Sequence, residues 1–192
     1  EFCDFYPFHP YQFDLFQRAL EQLSKHDMFT GRHTAVGERS MLEVFQSVVK
    51  SMKDQSVGSL APFDLMFDGI SATLKGDVQT AIIQAGNHFE DPLSLRILKT
   101  LFLLKWVKTI TSTPRNVAIL LLDSATPDIA THEKAVETNL RLLEAQSLLQ
   151  RNGDVYEFLT DTEKDIETEI KQTDVDDSEV TKLLSDVIFA DT

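Results

Sequence analysis

From Asp91 onward the chain sets out three helix starts and then a hairpin turn, an order that limits the fold more than any other feature of the sequence. Asp91-Pro92 puts an N-cap acid before a proline at the first helical turn, where its missing N–H is harmless. Leu95, Leu98, Phe102, Trp106 and Ile110 follow at helical spacing, and Leu101, Leu103 and Leu104 fill other faces, which predicts a helix buried on most sides. Thr113-Pro114 predicts a short helix from Arg115 to Asp123. Thr131 is expected to cap a longer one through Ala135, Val136, Leu140, Leu142, Leu143 and Ala145 to about Ser147. Asn152-Gly153 then separates Leu148-Leu149-Gln150 from Val155-Tyr156-Glu157-Phe158, and both turn residues tolerate the positive φ of a tight hairpin. Helix, helix, helix, hairpin is the order of a winged helix, expected over residues 91–160 with the helix from Thr131 in the recognition position.

The preceding stretch, residues 1–90, reads as a helical bundle. Pro10 opens a stripe of Tyr11, Phe13, Leu15, Phe16, Ala19, Leu20 and Leu23, ending near His26. MFTGRHTAVGERS predicts a structured loop before a helix carrying Met41, Leu42, Phe45, Val48, Val49 and Met52. Further helical stripes run from Phe63 to Leu74 and from Asp77 through Ile83. Residues 161–192 predict acidic C-terminal helices: Thr160 and Glu163 have capping-box spacing, and Asp177 or Ser178 can cap a last helix with Val180, Leu183, Leu184, Val187 and Ile188. The fold class expected is therefore mainly α, a helical bundle followed by a winged-helix module with a small β-hairpin wing and C-terminal helices.

Charge narrows the function classes. The chain carries a net charge of −13, and residues 154–192 hold 13 acidic residues against three lysines. A chain-wide basic footprint for nucleic acid is absent, so repulsion of DNA by the whole chain is expected over nonspecific attraction. The longest apolar runs, Leu101 to Leu104 and Val117 to Leu122, fall far short of the roughly 18 residues a membrane span needs. The single cysteine, Cys3, cannot close an internal disulfide and is compatible with a reducing compartment, which makes the cytoplasm the expected location. The amino terminus, crowded with aromatics and lacking signal-peptide features, suggests a chain cut from a longer protein.

Enzymatic chemistry is poorly represented. No G-x-x-x-x-G-K-[ST] phosphate loop occurs, and the five histidines form no close-spaced metal pattern. Carboxylate pairs such as Asp161 with Asp165 read as solvated helix surface, with no sign of a pocket to separate their pKa values. One cluster stands out: Arg32, His33 and Arg39 in GRHTAVGERS. A guanidinium at a helix start, held by a glycine-containing turn, suits phosphate, although a local Arg39–Glu38 ion pair with Ser40 as cap is the plainer reading. In the recognition position, Lys134, Asn139 and Arg141 with Arg151 of the wing are the candidate nucleic-acid contacts, diluted by Glu133, Glu137 and Glu144. That near-neutral face favours use in protein packing and leaves DNA contact as the secondary reading.

At FYPFHPYQFDLFQRAL and HTAVGERSMLEVFQ, and less distinctly through LLKWVKTITSTPRNVAILLLD, VYEFLTDTEKDIETEI and VIFAD, the sequence resembles the large P-loop ATPase component of bacteriophage exclusion (BREX) systems, the BrxC or PglY family. The resemblance implies a nucleotide-binding core before Glu1, residues 1–90 as an AAA-type helical lid, and the winged helix after it. It implies ATP and Mg as cofactors of the longer parent, none for this stretch, and no enzymatic activity of its own. Arg39, with Arg32, becomes the candidate for sensing phosphate from the lid. The implied partners are the remainder of the ATPase chain and other defence proteins, including a DNA methyltransferase. The rival expectation is a stand-alone winged-helix transcriptional regulator that binds DNA.

Overall fold

A computed structural model describes residues 2–30 and 38–172. The chain divides into two compact units, Glu1–Leu159 and Thr160–Thr192. The first holds α1 (Phe2–Phe5), α2 (Tyr11–Lys25), α3 (Glu38–Ser51), α4 (Leu65–Ile70) with a 3-10 turn (Ser71–Thr73), α5 (Gly76–Asn87), α6 (Pro92–Leu104), α7 (Pro114–Leu120), α8 (Ile129–Ala145) and the antiparallel pair β1 (Leu149–Asn152) and β2 (Val155–Phe158). Its fold is mainly helical, with the winged-helix-like order α6, α7, α8, β1, β2 at its end.

Local chemistry accounts for most element starts. The Asp91 carboxylate accepts from Leu93 N–H at 2.9 Å with Pro92 behind it, and Thr113 Oγ1 accepts from Asn116 N–H at 3.3 Å with Pro114 behind it. The start of α8 differs from expectation. Asp128, not Thr131, is its cap: the carboxylate accepts from Thr131 N–H at 3.2 Å and from Thr131 Oγ1 at 2.7 Å, so the threonine is a donor at N3. The hairpin register also differs. Asn152 pairs with Val155, which leaves Gly153-Asp154 as the two-residue loop, and Gly153 takes φ 62° at the first loop position.

The core is organised around α6. Ile97, Leu98, Leu101, Phe102, Leu103 and Leu104 are all buried, and the helix meets α2, α4, α5, α7, α8 and β2. Phe102 lies edge-on to Phe67 of α4 at 5.7 Å and to Phe158 of β2 at 5.6 Å, so one ring joins the bundle to the wing. Gly86 lets α5 approach closely: a Cβ there would stand 2.9 Å from the Leu95 Cβ.

The expected boundary at residue 90 is therefore not a break in the core. Backbone bonds also cross it, with Leu60 N–H donating to Asp123 O, Phe63 N–H to Leu120 O and Ala125 N–H to Gly58 O. Lys99 of α6 pairs with Asp68 of α4 at 2.6 Å. Arg96 gathers three acceptors from both sides: Asp64 through both carboxylate oxygens at 3.3 Å, Asp123 at 3.2 Å and Leu121 O at 2.9 Å.

The β hairpin has company on one edge. Ser112, in the α6–α7 connection, accepts from Tyr156 N–H at 3.0 Å, and Lys105 Nζ donates to Phe158 O at 2.5 Å. The second unit is described over α9 (Asp161–Gln172) alone. Glu163 Oε2 accepts from Thr160 N–H at 2.7 Å and from its hydroxyl at 2.8 Å, the contact that the Thr160–Glu163 spacing predicts. The helix expected around Val180 to Ile188 lies outside the described residues.

Asp64 gives a stability test whose sign is unusual for a carboxylate. Burial pushes its pKa above the ordinary value, and Arg96, held at the long distance of 3.3 Å, offsets this only in part. A raised folded pKa means that the residue's contribution is complete below the unfolded value, near ~4, and is lost as pH rises through the folded value. Urea midpoints of wild type and Asp64→Asn between acid and neutral pH should show wild type losing ground to the variant as pH increases. A gap moving the other way would assign the dominant role to the Arg96 pair.

Candidate functional site

Asp128 fixes the amino-terminal end of α8, and its pKa is held below the usual range by the Thr131 hydroxyl, then by the N–H groups of Thr131 and Ala130. His132 Nε2 meets Ala118 O at 3.1 Å and Arg115 meets Glu133 at 3.3 Å, which ties α8 to α7. Val136, Leu140 and Leu143 face the core. These contacts decide which side of α8 is presented outward.

The four residues expected to reach nucleic acid are not brought together as one basic surface. Lys134 is exposed. Arg141 is committed to Glu137 on the same helix at 2.5 Å. Arg151 donates to Gly153 O at 2.7 Å, pairs with Asp154 at 3.7 Å and lies over the Tyr156 ring. Asn139 does not face solvent at all: it is 4% exposed, its Oδ1 accepts from Ser94 Oγ at 2.5 Å, and its Nδ2 donates to Asp91 Oδ2 at 2.8 Å and Ala135 O at 3.1 Å. Its position on α8 turns it toward α6, where it fastens the recognition-position helix to the cap of the buried one. What remains outward on α8 is mixed, with Ile129 and Leu142 exposed as well as Lys134 and the Arg141–Glu137 pair.

Arg32 and His33 lie outside the described residues. Arg39 is the second residue of α3, but its side chain also lies outside them. The sequence contains no G-x-x-x-x-G-K-[ST] phosphate loop. Among the described residues no group of three or more His, Cys, Asp or Glu is gathered closely enough to hold a metal.

Sequence reasoning offered no pocket, yet the first unit has a cleft of about 620 Å³. Its floor is apolar, with Leu101, Leu104, Ile110 and Val155; its rim carries Lys105, Lys108, Thr111, Ser112 and Glu157. On one wall the His26 ring stacks on Trp106 at 4.2 Å and 10°. Lys105 Nζ lies 5.6 Å from the Trp106 ring centroid. The lining comes from the end of α2, the end of α6 with its following connection, and β2. Segments so far apart leave no linear motif, and Lys105, Trp106 and Lys108 just past a helix end were the only local signal. No protein-family model matches the chain, and no solved structure matches it significantly.

Asn139 and Arg141 separate structural from surface duty on one helix. Asn139→Ala removes the partner of a buried Ser94 hydroxyl and should cost about 1–3 kcal/mol in denaturant unfolding. Arg141→Ala breaks only an exposed pair and should stay within about 0.5 kcal/mol.

Proposed function

We propose that this chain is the regulatory and assembly region, a helical lid with a winged-helix-like module, of a phage-defence P-loop ATPase of the BrxC or PglY type that its sequence resembles. In this reading the winged-helix-like part serves protein contacts and transmits nucleotide state within a multiprotein complex. ATP and Mg belong to the longer parent, and Arg39, with Arg32, approaches the phosphates there.

One observation carries the preference for protein over DNA. Three of the four candidate contacts are engaged within the chain, since Asn139 is buried against α6 and Arg141 and the wing residue Arg151 are paired with Glu137 and Asp154, which leaves Lys134 as the exposed one. A DNA-reading face needs unpaired Arg, Lys, Asn or Gln directed at base edges and phosphates. The net charge of −13 adds a general repulsion. The continuous core across residue 90 suits a region that moves as one body, which a relay of nucleotide state requires.

Titration with generic duplex DNA at low and at moderate salt distinguishes this reading from a DNA-binding regulator. No binding is expected at either salt, whereas tight, salt-sensitive binding would favour the regulator. In the longer parent, Arg39→Ala should lower ATP turnover while the thermal midpoint of this region stays unchanged, and undiminished turnover would remove the sensor role.

A further inference from the structure

The tip of the hairpin wing carries a reactive pair that the assembly reading leaves unused. Asn152 closes β1 and Gly153 opens the two-residue loop, so a carboxamide and the backbone nitrogen that follows it meet at an exposed end. An asparagine side chain is of the length that lets its carbonyl carbon and the next backbone nitrogen join in a cyclic imide. The reaction is held back by a bulky following residue, by a hydrogen bond to the carboxamide or by one from the nitrogen.

None of these restraints operates at Asn152. Gly153 has no side chain, and even a Cβ there would meet nothing within 4 Å. The Asn152 carboxamide makes no hydrogen bond with a described residue, and the Gly153 N–H donates to no described group. Arg151 Nε donates to Gly153 O at 2.7 Å, which sets a positive charge beside the nitrogen as it loses its proton. Attack requires the Asn152–Val155 pair to part so that the side chain can swing over the nitrogen. That pair is the last of the hairpin, at an exposed end where local opening costs least.

The chain has four asparagines, and Asn152 alone precedes a glycine. Asn116 lies in α7 with its Nδ2 bonded to Thr111 O, and Asn139 is buried in α8 and bonded to Ser94 and Asp91. Asn87 precedes the larger His88 at the end of α5.

We propose that Asn152 is a site of spontaneous deamidation in the folded chain, driven by attack of the Gly153 backbone nitrogen on its side-chain carboxamide. The nitrogen gives up its proton to solvent and bonds to Asn152 Cγ, the Cγ–Nδ2 bond breaks, and the leaving nitrogen takes up a solvent proton and departs as ammonia. Water then adds to one of the two imide carbonyls. Opening at one restores the ordinary backbone with aspartate at this position; opening at the other leaves isoaspartate, with the chain routed through the side chain. The sum is one water consumed and one ammonia released, with no change of oxidation state. Either product adds negative charge beside Asp154, and isoaspartate lengthens the backbone where β1 pairs with Val155, so the wing tip is altered while Leu149 and Phe158 stay in the core.

The intact chain is incubated without denaturant in mildly acidic and mildly alkaline buffer, beside a urea-unfolded sample, and mapped by proteolysis and mass spectrometry against an unincubated digest. The expected result is a mass shift of one amide-to-acid exchange at Asn152 in the folded chain, with isoaspartate and aspartate both present. Its rate should rise by about tenfold per pH unit, because the attacking nitrogen must be deprotonated. Asn152→Gln, which cannot close the same ring, should abolish the shift with the thermal midpoint unchanged. Three outcomes overturn the proposal: no conversion at Asn152 in the folded chain while the unfolded sample converts, conversion at Asn116 or Asn139 at the same rate, or aspartate as the sole product.

Discussion

A helix with apolar residues on nearly every side has to be enclosed, and α6 imposes that requirement on the whole first unit. Completely burying one Leu or Phe side chain contributes about 1.5–3 kcal/mol, and α6 buries Ile97, Leu98, Leu101, Phe102, Leu103 and Leu104 within thirteen residues. No single neighbour can cover such a surface. The bundle helices α2, α4 and α5 cover part of it, and α7, α8 and β2 cover the rest. The winged-helix-like order at the end of the unit is thus the second half of one shell around a shared centre.

Enclosure explains the fate of the polar groups near α6. Arg96 leaves the helix at the junction between its two sets of neighbours, and its fork collects Asp64, Asp123 and Leu121 O. Asn139 enters from α8 and meets Ser94 and Asp91, the residue that also caps α6. One carboxylate thereby starts the central helix and secures the recognition-position helix against it. An arrangement that consumes Asn139 in this way takes a base-reading group off the surface and fastens α8 to α6.

Signals that act over a few residues were legible in the sequence, and those that depend on distant contacts were not. Asp91-Pro92, Thr113-Pro114 and Thr160 with Glu163 were readable because a side chain meets an N–H two or three positions away. The start of α8 is ambiguous in the sequence because Asp128 and Thr131 are both good caps, and only geometry shows which accepts and which donates. The ends of α2 and α8 fall within two residues of His26 and Ser147, where the apolar stripes place them, without a glycine to mark them. Asp27 and Ser147 take the left-handed conformation, at φ 57° and 55°, that glycine usually marks after α2 and α8. The buried core continues across residue 90, and a boundary there follows the winged-helix order of elements that begins at Asp91, an order that does not show what α6 packs against. In sequence Asn139 reads as a surface residue because its α8 position borders the buried stripe. The cleft was invisible, since the end of α2, the end of α6 and β2 meet only after folding.

The small hairpin raises a hazard that a two-stranded sheet cannot solve by itself, because each strand has an open side able to recruit strands from other molecules. Here Ser112 and Lys105 act as blunt ends on the β2 side, one through a carbonyl and one through an ammonium group. Replacing a full third strand with one carbonyl and one lysine guards against runaway self-association and keeps the adjoining connection free of a rigid ladder.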